Sequence, residues 1–141
     1  MKLTKKEKKQ IEKEIGDYFC NVIMSICQIS NYRVFTKVDL DTGKDKTFSI
    51  KQGFPYRSIN LYIGQSGVDY WRTKNWQAIR FALLHEAFHI LHWTYREYAK
   101  ARFIQPDTLQ EIEEDLADKF AGIVSLLWDK YAKNNKTSKT T

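Results

Sequence analysis

The residues of this chain best suited to chemistry are two imidazoles four positions apart with a carboxylate beside the first: His85-Glu86-Ala87-Phe88-His89. On a helix, His85 and His89 project from one face with Cβ atoms about 5–6 Å apart, near enough for both to reach one Zn²⁺ at roughly 2.0–2.1 Å. Glu86 then stands at the rim of the same site, placed to take a proton from a water on the metal. The run from Asn75 to Tyr95 reads as that helix. Its Ile79, Phe81, Ala82, Leu83, Leu84, Ala87, Phe88, Ile90 and Leu91 are apolar nearly all round, the pattern of a buried helix. Two histidines and a glutamate in such a helix need partners, because an unpaired buried polar group costs roughly 2–7 kcal/mol. A metal ion satisfies all three, and a hydrogen-bonded core cluster is the alternative.

A third ligand is expected from the next helix. Pro106 and Asp107, with Gln110 three residues on, resemble a capped helix start, and Leu109, Ile112, Leu116, Phe120, Ile123, Val124 and Leu127 continue at helical spacing to about Tyr131. Near the start of this long amphipathic helix, Glu114 and Asp118 lie one turn apart on the margin of the apolar stripe. Small Ala117 and Ala121 beside them would let another helix approach closely. Glu113 lies nearer the centre of the stripe and is the alternative ligand. Taken alone, the cluster Glu111, Glu113, Glu114 and Asp115 also suits an ordinary solvated first turn favoured by the helix dipole.

His-Glu-x-x-His followed about 25 residues later by Glu114-Asp115-Leu116-Ala117-Asp118-Lys119-Phe120-Ala121 resembles the gluzincin metallopeptidases, and is most similar to the small ImmA/IrrE-type family. The resemblance covers roughly residues 76 to 127. It implies a zincin-like α+β fold and a zinc site formed by His85, His89 and Glu114. It further implies Glu86 as general base and Asp118 as the support of a zinc-binding histidine. The implied activity is hydrolysis of a peptide bond in a protein or peptide substrate, including as a regulatory cleavage. The other reading is a catalytically silent relative that acts by binding a protein or nucleic-acid partner.

His92 lies three residues past His89, but His85 and His92 are separated by about 10.5 Å of helix axis, too far to share an ion together with His89. It is expected to pack, or to donate to substrate or to an acidic neighbour. A donor for the developing oxyanion is required by the chemistry, and His92, Tyr95, Arg96 and Tyr98 are candidates.

The remaining elements must position this site. A chain of 141 residues, 43% hydrophobic and 14% aromatic, supports one domain, read as residues 1–132 with a polar, disordered tail over 133–141. Thr4 and Glu7 form a capping box before Ile11, Ile15, Phe19, Val22, Ile23 and Ile26, an amphipathic helix of about six turns with a solvated lysine-rich face. Residues 32–50 read as a β-hairpin around a turn over 41–46, and Ile59–Ile63 as a third strand. The expected fold is therefore α+β, with three main helices and a small antiparallel sheet of about three strands. In the gluzincins an edge strand binds extended substrate, and the third strand or its neighbour is the matching position. Gly64–Asn75 reads as a loop whose Trp71, with Trp76, forms a pocket wall.

Cys20 and Cys27 are too far apart along one helix to pair and are expected as buried small hydrophobes. No apolar stretch suggests a signal peptide or a membrane span, so the cytoplasm is the expected compartment. The net charge of +6 is concentrated at the two ends without a nucleic-acid motif, so nucleic acid is not the expected partner.

Overall fold

The structure, a computed structural model, describes residues 3–29, 32–41, 46–53, 58–101 and 106–137, with side chains apart from those of 53, 94–101, 106–109 and 131–137. Helix α1 (Lys5–Tyr18) starts at Thr4, whose hydroxyl accepts the Glu7 N–H at 3.1 Å. It runs through a π-helical turn (Phe19–Ile23) into a last turn, α2 (Met24–Ile26). The π turn has a cause in the spacing. Ile11, Ile15, Phe19 and Ile23 are all fully buried and fall every four residues. On a regular helix each such step drifts about 40° around the axis, and a wider turn brings the later residues back to the core face.

Strands β1 (Arg33–Val38), β2 (Phe48–Gly53) and β3 (Ser58–Ile63) form one sheet in the order β1-β3-β2. β1 runs parallel to β3, Val34 opposite Ile59, while β2 runs antiparallel to it, Ile50 opposite Leu61. The sheet is thus mixed, not antiparallel, and the hairpin lies one strand later than expected. β3 claims the centre because its alternation is the most complete: Ile59, Leu61 and Ile63 are fully buried. β1, exposed at Arg33, Phe35 and Lys37, is suited to an edge. Residues 42–45 of the expected turn lie outside the described residues.

Helix α1 crosses β1 where Gly16 lies so close to Thr36 that a Cβ would sit 2.6 Å from its hydroxyl oxygen. Glu12 accepts the Val38 N–H at 2.9 Å, and Glu14 accepts the Trp71 indole N–H at 2.7 Å. Trp71 belongs to helix α3 (Gln65–Arg72), which occupies the segment expected as a loop. This helix buries Gly67, Val68 and Trp71, and Arg72 pairs with Glu7 at 2.8 Å. The periodicity of Val68 and Trp71 outweighs the glycines flanking and interrupting them. Trp76 packs against Tyr18 with the rings tilted by 50° and their centres 5.3 Å apart, and neither Trp71 nor Trp76 lines the cleft described below.

Asn75 caps helix α4 (Trp76–Ala101) by accepting the Ala78 N–H at 3.1 Å. α4 buries Ile79, Leu83, Leu84, Ala87 and Ile90, whereas Phe81 and Leu91 remain partly exposed, so the helix is covered on most sides but not all. Helix α5 (Pro106–Thr137) lies along it. Residues 133–137, expected in the tail, continue this helix; no Gly or Pro interrupts the segment. α5 meets α4 through the fully buried Ala117 and Ala121. Arg80 clamps the pair further along, donating to Ser125 Oγ at 3.2 Å and to Asp129 Oδ1 at 2.7 Å. Four helical rods, counting α1 through α2 as one, and a three-stranded mixed sheet give an α+β fold among the described residues. No described helix is long and apolar enough to cross a membrane.

Candidate metal centre

α4 supplies His85 and His89 on one face, and their Nε2 atoms approach to 3.1 Å. α5 brings Glu114 across: Oε2 is 3.1 Å from His85 Nε2, and Oε1 is 3.5 Å from His89 Nε2. One ligand atom from each of the three residues lies within 4.8 Å of the others. Ligands held tetrahedrally at 2.0–2.1 Å from an ion are separated by about 3.3–3.4 Å, close to these spacings.

Proton placement at His85 also fits a cation. Asp118 Oδ1 lies 2.8 Å from His85 Nδ1 and accepts its N–H, which leaves the Nε2 lone pair facing the Glu114 carboxylate. Two lone-pair acceptors aimed at one point need a proton between them, on this imidazole or donated by His89 Nε2 3.1 Å away, or a metal ion in its place. Two imidazoles and one carboxylate are a donor set that suits zinc and related divalent metals.

The neighbouring glutamates of α5 have separate tasks. Glu113, with its side chain 4% exposed, turns away from the cluster to His92 Nε2 at 3.1 Å. Glu114, 52% exposed, reaches the two histidines. The alternative of Glu113 as ligand is thereby set aside, and His92 has both neighbours expected of it, an acidic partner and a packing surface on Phe88, 4.6 Å between ring centres. The expected stripe was misphased: α5 packs through Glu113, Ala117, Ala121 and Ser125, while Ile112, Leu116, Ile123 and Leu127 are exposed.

Glu86 lies beside the cluster in a largely buried position. Burial pushes its carboxyl up to about 7. The charge of a protonated His85 opposes that rise, Glu114 adds to it, and the Ile50 backbone N–H and Lys46 draw it back down. In the metal-free chain this poises the carboxyl near neutrality, where it can both accept and return a proton, and a bound cation would draw its pKa lower.

These residues open onto a cleft of about 1020 Å³ between β2 and the two long helices. Lys46 to Ile50 and Gln52 line one side, and Phe81, Ala82, Trp93 and Gln110 are among those lining the rest. Among the described residues β2 is bonded on one edge only, to β3, and residues along it line the cleft. β3 is the central strand and not an edge, whereas its neighbour β2 lies at an edge of the sheet among the described residues. Lys46, Gln52 and Gln110 entered the site unannounced by any motif. Of the oxyanion candidates, His92 faces Glu113, and the side chains of Tyr95, Arg96 and Tyr98 lie outside the described residues. Cys20 is exposed, contrary to expectation, and Cys27 is half-buried. No protein-family model matches this chain, and neither the curated proteins nor the solved structures give a match.

Proposed function

We propose that this chain is a zinc metallopeptidase of the gluzincin kind, similar to the ImmA/IrrE-type enzymes, acting on a protein or peptide substrate. The observation that carries this reading is the convergence of His85, His89 and Glu114 ligand atoms at metal-site spacing, with Glu86 adjacent and a cleft in front. His85, His89 and Glu114 would hold the ion, which when bound lowers the pKa of water to about 7 and polarises a carbonyl.

The protein's own groups perform the remaining work. Asp118 holds the proton on His85 Nδ1 and so fixes which nitrogen faces the cluster. Glu86 takes a proton from the attacking water and returns it to the leaving amine. The Ile50 N–H steadies that carboxylate from β2. The edge of β2 that is unpaired among the described residues would offer backbone groups to an extended peptide lying across the cleft as an added strand.

Metal content of the purified protein tests this reading, with Glu114→Gln, Glu113→Gln and Glu86→Gln beside it. The expected result is about one zinc per chain, lost in Glu114→Gln and retained in the other two. Peptide hydrolysis should be abolished in Glu86→Gln. An absence of zinc binding to the wild-type chain would refute the proposal. A zinc-loaded chain indifferent to Glu86→Gln across a peptide library would leave the silent binding module.

A further inference from the structure

We infer that α5 pairs with α5 of a second copy of this chain, antiparallel, through the face it turns away from α4. Ile112, Leu116, Ile123, Leu126 and Leu127 are exposed at 51, 44, 60, 66 and 61%. At 100° per residue they fall within a stripe about 100° wide, roughly opposite Ala117 and Ala121. The steps from Ile112 to Leu116, Ile123 and Leu126 follow the three-and-four spacing of a helix seam, with Lys119 in the one polar position between. The helix is thus amphipathic twice: one face is spent on α4, and the second meets solvent.

Both the area and the charges favour a second copy. Five such side chains present roughly 500 Å² of apolar surface, within the size range that marks interaction sites. Closing two stripes on each other removes roughly 1,000 Å² in total, the threshold for a specific interface. α5 is acidic at its start, with Glu111, Glu114, Asp115 and Asp118, and carries Lys119 and Lys130 further on. Antiparallel pairing that sets Leu116 against Leu126 of the mate places Lys130 level with Ile112, one residue from Glu111, and Lys119 level with Ile123. Parallel pairing would instead set Lys130 against Lys130, which is unfavourable, while Lys119 is paired with Asp115 of its own helix at 2.6 Å. The stripe faces away from His85, His89 and Glu114, so the cleft stays open in the pair.

Sedimentation of the full chain from about 1 to about 100 µM tests the inference, because association responds to concentration. A particle of twice the chain mass is expected. Ile123→Lys with Leu126→Lys should weaken association at least about 100-fold by placing two charges in the seam. Both positions face solvent in the single chain, so helix content by circular dichroism should be unchanged. Lys130→Glu should weaken the pair about fivefold, and Glu111→Lys added to it should restore the loss. A wild-type chain that stays single at about 100 µM would overturn the inference and leave the stripe to a different protein. So would a dimer that survives the double lysine variant, and failure of the charge exchange to restore association would overturn the antiparallel arrangement.

Discussion

Replacing Glu86 with Gln should stabilise the metal-free chain above neutral pH and leave its stability unchanged in acid. The folded chain raises this carboxyl from an ordinary value of 4.5 to about 7, chiefly by burial. Below 4.5 the group is protonated in both folded and unfolded chains and contributes no pH dependence. Between 4.5 and 7 the unfolded chain releases the proton while the folded chain retains it, so stability falls as pH rises. Above 7 the cost is complete, and a displacement of this size corresponds to at most about 3 kcal/mol. Gln has no charge to bury and can still accept the Ile50 N–H, so it escapes the penalty. Urea unfolding with a chelator present, repeated between about pH 4 and pH 8, measures the difference between the two proteins. The variant should match the wild type in acid and exceed it by up to about 3 kcal/mol in base. Equal stability at every pH, or a wild type favoured in base, would refute the burial argument for Glu86.

Asp118→Ala should weaken zinc binding about 10–100-fold, because His85 then loses the acceptor that fixes its tautomer; competition with a coloured chelator reads this, and unchanged affinity would exclude the role. Gly67→Ala should lower the melting temperature. A Cβ there meets the Thr47 carbonyl oxygen at 2.6 Å, backbone that cannot yield cheaply, and overpacking of about 1–3 kcal/mol outweighs the roughly 1 kcal/mol that Ala gains in a helix. Cys20 should alkylate well before Cys27 at mildly basic pH, as mass spectrometry of timed samples would show: Cys20 is exposed, whereas burial pushes the Cys27 thiol up to about 11.

The grouping of the candidate site residues was legible wherever the signal was local. His85, Glu86 and His89 sit within two turns of one helix, so their mutual placement follows from helical periodicity alone. Glu114 and Asp118 needed the family resemblance, because nothing local says which side of α5 meets α4. Hydropathy pointed to the wrong side: Ile112, Leu116, Ile123 and Leu127 outrank Ala117, Ala121 and Ser125 in apolar character, yet the small residues permit the closer approach and make the contact. The strand order was hidden for another reason. Each strand announces itself by alternation, but which strand takes the middle is decided by competition for the core, and β3 wins through Ile59, Leu61 and Ile63. The cleft-lining Lys46, Gln52 and Gln110 belong to elements far apart in the chain and carry no common spacing.

The order β1-β3-β2 also bears on how the chain acquires its fold. β1 and β2 are made first, and neither has its native partner until Ser58–Ile63 has followed. Before then the two earlier strands can pair only with each other, in a hairpin that must open to admit β3. Folding should therefore slow as this early hairpin is stabilised, and a chain shortened before residue 58 should aggregate through unsatisfied strand edges. The strand that borders the cleft has, among the described residues, a strand partner only in one that arrives after it.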